Sequence, residues 1–540
     1  MSLILYRNGS VYSAADPLAT AMLVDGDTVA WVGGEHAAAS LADARMRVVD
    51  LEGALITPGF VDSHVHLTES GVALESIDLS EVRSARELLT RLSSAPQSAG
   101  VLLGFGWDET RWTESRLPTA AELDSATEGR EVYLARVDVH SALVSSKLAH
   151  RLGLAALDGW SADGFVVRAA HIAAREAART LTPERRRHFQ QLALDAAARA
   201  GYVALAEMAI PGGEALQDLA QLMKLSEEGA GPQILPYWAQ LISSAEQGRE
   251  VLDELAALGI QPLGLAGDLN IDGSIGSRTA LLRDDYSDLP GQRGSQYLTA
   301  EQIAAHLAAC TEVGVQGGFH VIGDAGMDLA VAGLRIAAEK VGAAALRSAQ
   351  HRLEHVEMAD SAAIATLAEY SVTASMQPSF DAFWGGSASL YEQRLGGRAA
   401  GMNQLAAMFA AGVPVALGSD SPVTPMNPWA GVKACLEHHQ PAQRVSARAA
   451  FIGHSRAGWR AARESNPMMG QLAPGAPASY AVWEVDELMV QVSDDRVQSW
   501  STDPRSRTPL LPALDTENSP RCLGTVHRGR ALYWDQRFAN

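Results

Sequence analysis

The chain predicts an α/β fold, a (β/α)8 TIM barrel with a small β-sandwich made from both termini, and three observations carry that expectation. Strand-like apolar runs alternate with helix-like segments through the middle of the chain, eight such strands can be counted, and turn-rich β texture stands at each end. Alternating strands and helices imply right-handed crossovers and a parallel sheet. Eight such units close a barrel whose site lies at the C-terminal ends of its strands.

Residues 1–57 contain short apolar stretches (Leu3 to Tyr6, Ala21 to Val24, Val29 to Val32) between Asn8-Gly9, Asp25-Gly26-Asp27 and Gly33-Gly34. Such runs between Gly and Asp turns read as strands and hairpins, the first part of the sandwich. The barrel is assigned to 58–469. Within it, about 72–180 precedes any regular repeat and reads as an insertion, with strands at Leu102 to Trp107 and Val132 to Val137 and a helix at Ala85 to Ser93.

From residue 182 a repeat sets in. Thr182 is an N-cap, Pro183 suits the first helical position, and Gly201 stops the run before a strand from Tyr202. Thr299 to Gln302 is a capping box that opens a helix leading to the strand at Gln316, and Asp360 opens the helix before Val372. The eight strands are placed at Val61 to His66, Val203 to Met208, Leu235 to Leu241 and Leu265 to Ile271, then Gln316 to Ile322, Arg352 to Val356, Val372 to Gln377 and Val415 to Ser419. Residues 470–540 return to strands and turns (Ala478 to Val482, Leu510 to Leu514, Leu523 to Arg530) and form the second part of the sandwich.

The composition narrows the function. A formal charge of −20 over 540 residues opposes phosphate-backbone binding, which needs clustered Lys and Arg, so no nucleic-acid partner is expected. No apolar run approaches the ~20 residues of a membrane span, and Met1 to Asn8 lacks the layout of a signal peptide. A cytoplasmic protein with a small-molecule substrate and no membrane partner is expected, with a homodimer as the default assembly. The three cysteines, Cys310, Cys435 and Cys522, are too dispersed for a disulfide framework or a Cys knuckle. Any metal must therefore sit on His and carboxylate.

His64 and His66 lie two apart on the first strand, so both imidazoles fall on one face. Later strand ends each carry a ligand-type residue: His320 in the fifth, His355 in the sixth and Asp420 after the eighth. Four imidazoles and one carboxylate suit a borderline divalent ion, zinc before others.

Ile56 to His66, with His320, His355 and Gly418-Ser419-Asp420, resembles the amidohydrolase superfamily of metal-dependent hydrolases. Asp272 to Ala280, His320 to Asp324, Gln377-Pro378-Ser379 and Ser421-Pro422-Val423 resemble its branch that includes N-substituted formamide deformylase. The resemblance implies hydrolysis of an amide-type C–N bond by metal-activated water. It implies that His64 and His66 hold one metal, that His320 and His355 hold a second or steady the substrate oxygen, and that Asp420 ligates metal and accepts the proton of the attacking water. His355 and Asp420 are thus the catalytic candidates.

Many members bridge two ions with a carboxylated lysine four residues before an Asp-Gly pair, where this chain has Asp268. Asp is several bonds shorter, so Glu207, ending the second strand, is the expected substitute ligand by reach, with a ligand-orienting role as its alternative. One ion or two stays open. Trp107, His140, Arg278, Gln377, Phe380 and Trp384 fall on loops at the site end of the barrel and are expected to contact substrate, the aromatic ones favouring an apolar group. Within the same fold, hydrolysis of esters or lactones and deamination are alternatives, as is a non-catalytic small-ligand binder.

Overall fold

In the computed structural model eight parallel strands form the central sheet: β1 (Phe60–Val65), β2 (Tyr202–Ala209), β3 (Gln233–Trp238), β4 (Gly264–Leu265), β5 (Gln316–Val321), β6 (Arg352–His355), β7 (Thr373–Met376) and β8 (Val415–Leu417). The structure describes residues 3–96, 100–114, 116–178, 180–491, 500–501, 508–515 and 518–538. Neighbouring strands pair in chain order from β1 to β8. The ring closes through a parallel bridge between Val65 and Ser421, just past β8.

The helices begin where the sequence marks them. Thr182 accepts a hydrogen bond from Arg185 N and Pro183 opens Pro183–Arg199; Thr299 and Gln302 form a reciprocal capping box at the start of Ala300–Val313; Asp360 accepts from Ala362 N and Ala363 N to open Ser361–Tyr370. Each satisfies backbone donors that a helix start leaves orphaned. The helices bury apolar faces against the strands, and the resulting core includes Leu205, Phe319, Leu353 and Leu417.

The barrel interior is partly polar at depth. Arg352, fully buried, stacks over the Tyr237 ring at 4.4 Å and donates to Ser63 O at 2.7 Å and Ser375 Oγ at 3.1 Å. A buried guanidinium needs such partners to offset its desolvation.

Both chain ends build the small extra domain. One sheet holds Leu3–Arg7, Ala21–Asp25, Thr28–Gly33 and Met46–Asp50; the other joins Ser10–Val11 and Leu55–Pro58 to Tyr480–Glu484, Arg521–His527 and Arg530–Trp534. Between β1 and β2 a separate five-stranded sheet runs in the order Phe165–Val167, Ser141–Val144, Val132–Arg136, Leu102–Trp107, Ile77–Asp78.

Two local expectations differ from the structure. Glu35–Leu41 is a helix inside the segment read as all β, because its alanine-rich run, Ala37-Ala38-Ala39, favours helix once Gly34 releases it from the preceding strand. The fourth strand, expected to run to Ile271, is regular only over Gly264–Leu265 and is interrupted where Gly267 takes φ 100°, with parallel pairing to His320 resuming at Asn270. That bend matters for the site.

Candidate active site

β1 delivers two imidazoles, His64 within the strand and His66 just beyond it, with ring centroids 5.3 Å apart. At the closing seam Asp420 N donates to His64 O at 2.8 Å, and His66 N donates to Ser421 O at 2.9 Å. This pairing sets Asp420 Oδ1 3.4 Å from both His64 Nε2 and His66 Nε2. Asp268 enters from the bend after β4, its Oδ2 3.1 Å from His66 Nε2 and its Oδ1 3.5 Å from His64 Nε2 and 3.8 Å from His320 Nδ1. His355 completes the group, its ring 4.5 Å from that of His320 and 5.1 Å from that of His64.

Two triads emerge, His64 with His66 and Asp420, and His64 with Asp268 and His355; within each, one donor atom per residue lies within 4.8 Å of the others. Burial alone would depress an imidazole pKa, yet Asp268 and Asp420 hold His66 well above its ordinary value. Burial would likewise raise Asp268, but the charges of His66 and His64 hold it well below the usual carboxylate range. The centre of the cluster attracts positive charge. His64 Nε2 and Asp268 Oδ1 are buried there without a hydrogen-bond partner among the described residues. Orphaned nitrogen and oxygen donors facing one space, among imidazoles and carboxylates, are what a divalent cation requires, so the residues fit a metal.

Outer contacts fix the tautomers. His64 Nδ1–H donates to Glu354 Oε2 at 2.9 Å, which leaves the Nε2 lone pair facing the cluster. Arg352 grips Glu354 in turn, at 2.5 and 2.9 Å. Burial pushes the Glu354 carboxyl up, but the Arg352 charge and the His64 bond prevail and hold it at about 2. Gln377 Oε1 accepts from His355 Nδ1 at 2.8 Å in the same way, and His320 Nε2 donates to Gly273 O at 3.2 Å, which turns Nδ1 toward Asp268.

A cavity of about 510 Å³ opens over the cluster. Part of its lining is Ile322, Phe380, Trp384, Leu390, Tyr391 and Val423; another part comes from the region between β1 and β2 and includes Arg136, His140, His171 and Arg175. Arg136 is buried among Asp108, Glu109 and Asp138, and Asp138 also accepts from Ser274 and Ser277 on the loop after β4. The insertion is thereby tied to the barrel mouth. On the aromatic wall, burial pushes the Glu357 carboxyl up to about 7.

The structure gathers His64, His66, His320, His355 and Asp420 into one cluster and places His140 and Trp384 on the cavity wall. Four expectations need correction. Glu207 accepts from Leu67 N at 2.8 Å and joins neither triad, while the bend at Gly267 carries the shorter Asp268 inward to take the place assigned to it. Trp107 is fully buried in the insertion core and donates Nε1–H to Leu134 O at 2.9 Å, so it faces a sheet interior and does not line the cavity. Arg278 turns out to an ion pair with Asp288 at 2.6 Å. Gln377 sits behind His355, bonded to it, and does not line the cavity. Glu354 was missed, although Arg352 and Glu354 share a face by strand alternation and an ion pair facing a barrel interior is a signal in itself.

A sequence profile described as "Amidohydrolase family" matches residues 47–533. Protein LONG AFTER FAR-RED 3 of Arabidopsis thaliana is 24% identical over 517 residues, covering 89% of this chain and 86% of its own. N-substituted formamide deformylase of Arthrobacter pascens is 26% identical over 159 residues, 28% of this chain and 29% of its own. Among solved structures, an uncharacterized metal-dependent hydrolase of Pyrococcus horikoshii superposes with a TM-score of 0.71 at 25% identity, covering 90% of this chain and 98% of that one.

Proposed function

The chain belongs to the amidohydrolase family, a family of metal-dependent hydrolases, and on that footing we propose that it cleaves an amide-type C–N bond in an N-substituted formamide or a related N-acyl amine. The observation that carries this reading is the meeting of His64, His66, His320, His355 and Asp420, from four strands, with Asp268, and the two orphaned atoms, His64 Nε2 and Asp268 Oδ1, among them. The likeness to the Arthrobacter deformylase supports the bond class.

His64, His66 and Asp420 would hold one divalent cation, zinc by donor chemistry, and Asp268 and His355 with His64 would hold a second or complete the first. When bound, the cation polarises the scissile carbonyl and makes its water acidic enough to attack at neutral pH. Asp420 takes the proton of that water on Oδ2, since Oδ1 faces the two imidazoles, and passes it to the departing nitrogen. Without that transfer an amine leaves poorly. His320, on the side of the cluster nearest His140, steadies the substrate oxygen. The aromatic wall excludes water and seats an apolar arm of the substrate.

The test is chelator-reversible turnover of N-formyl and N-acyl amines, read as released amine. Stripping the metal abolishes turnover and zinc restores it; no turnover of any such amide with metal bound overturns the proposal.

A further inference from the structure

The aromatic wall ends in a polar pair that the hydrolytic reading does not use. Starting at His355 the rings form a series: Phe380 stacks on His355 at 5.8 Å, Trp384 follows at 4.9 Å from Phe380, and Tyr391 meets Trp384 edge-on at 6.2 Å. The Tyr391 hydroxyl donates to Glu357 Oε2, and Asn403 N anchors the Glu357 backbone by bonding its carbonyl at 2.7 Å. Glu357 is only 3% exposed and lines the cavity.

Its other oxygen, Oε1, accepts no hydrogen bond from any described residue, and it is not among the unpartnered atoms sealed in the interior. Glu357 lines the cavity, and with Oε2 taken by Tyr391, Oε1 is the oxygen left for a ligand there. A polar atom set beside an apolar wall of a pocket costs free energy unless a ligand completes it, and such a group is what gives that side of a pocket orientation and selectivity.

We propose that Glu357 is a specificity-determining residue that selects amides whose apolar arm ends in a hydrogen-bond donor, a hydroxyl or an N–H. This rests on the amide-hydrolase reading and deepens it. The arm lies along Phe380, Trp384 and Tyr391 while the scissile bond lies at the cluster beside His355, and Glu357 Oε1 meets the donor that the arm carries. Tyr391 holds the carboxyl in place from behind. A site with a buried polar atom committed to a substrate donor rejects the analogue that lacks it far more strongly than a wholly apolar pocket rejects a change of size.

The experiment compares metal-loaded protein on N-formyl phenethylamines bearing a para hydroxyl, amino or methyl group, the methyl form matching the others in size without donating. The wild type prefers the hydroxyl or the amino form by about tenfold or more in kcat/KM. Which of the two leads tells whether the donor is O–H or N–H. Glu357→Leu brings the ratio to about one, and Glu357→Gln retains it, because the amide NH2 can donate to the Tyr391 hydroxyl oxygen and leave Oε1 to accept from the substrate. Equal turnover of all three forms by the wild type, or a ratio unchanged in Glu357→Leu, overturns the inference and leaves the hydrolase reading standing. If no amide is turned over, the hydrolase reading fails, and calorimetric binding of tyramine against 4-methylphenethylamine decides the role of Glu357: equal affinities overturn it.

Discussion

Replacing Glu354 with Gln tests whether the site is organised from behind its ligands. Three donors converge on this carboxylate: His64 Nδ1–H, Arg352 Nε–H and an Arg352 Nη2–H. A carboxylate can accept all three with two oxygens, but an amide offers one oxygen and turns an N–H toward the remaining partner. If the oxygen stays on Arg352, the amide N–H meets His64 Nδ1, the imidazole moves its proton to Nε2, and the lone pair that faced the cluster is lost. If it stays on His64, a buried guanidinium loses acceptor and counter-charge. Loss of such an orienting partner lowers metal affinity about 10–100-fold, roughly 1.4–2.8 kcal/mol. Breaking a buried pair costs stability of about 3–5 kcal/mol. Competition with a chromogenic zinc chelator reads the first, urea unfolding of the metal-free protein the second. The double variant Arg352→Leu/Glu354→Leu separates them, because removing both charges recovers part of the lost stability while leaving His64 unoriented and metal affinity low. Wild-type zinc affinity in Glu354→Gln, or its return in the double variant, would refute the orienting role.

Asp420→Asn, assayed at saturating zinc and substrate, lowers kcat by about 10²–10⁴ because the proton acceptor for the attacking water is gone; a kcat within tenfold of wild type removes Asp420 from proton transfer. Asp138 is buried, which would raise its pKa, but Arg136 holds it at about 2. Its stabilising contribution is therefore fully present above its unfolded value near pH 3.8 and is lost as pH falls toward 2, about 2 kcal/mol in all. Unfolding of Asp138→Asn should be less steeply pH-dependent across that window, and an unchanged slope counts against the pairing. Trp107→Ala costs about 3–5 kcal/mol in urea unfolding and leaves KM near wild type, as expected of a core residue. Trp384→Ala raises KM for aryl amides several-fold, and the reverse pattern would exchange the roles assigned to the two tryptophans.

The barrel was legible because its signals are local. Capping residues such as Thr182, Thr299 and Asp360 satisfy helix starts from their own segments, and the eight apolar runs carry their strand character wherever they pair. The metal-type residues were legible for a related reason: a barrel sends every strand end to one mouth, so His64, His66, His320, His355 and Asp420 needed only their strands to be placed correctly. Asp268 was set aside because its side chain is short, and the glycine at φ 100° just before it brings the backbone inward and makes up the reach. Trp107, Arg278 and Gln377 were misassigned because position near a strand end does not say which way a side chain turns. That depends on what packs behind it, Leu134 and Trp112 for Trp107 and Asp288 for Arg278. The tie between the insertion and the barrel, through Arg136, Asp138, Ser274 and Ser277, joins residues more than a hundred positions apart and leaves no periodic trace in the sequence.

The seam between β8 and β1 joins fold and chemistry most closely. Asp420 N and His66 N make the two backbone hydrogen bonds that close the ring, and the same two residues, with His64, form one donor triad. Asp62, one turn of the pleat earlier, accepts from Ser419 N at 2.9 Å and completes the closure with a buried side chain. A strand that slipped by one residue at this seam would turn His64 and His66 to the opposite face and carry Asp420 away from both. Register at the seam and assembly of the donor triad are therefore a single requirement. Cation binding at the triad must favour the closed ring, because the three donors converge only when those backbone bonds are made.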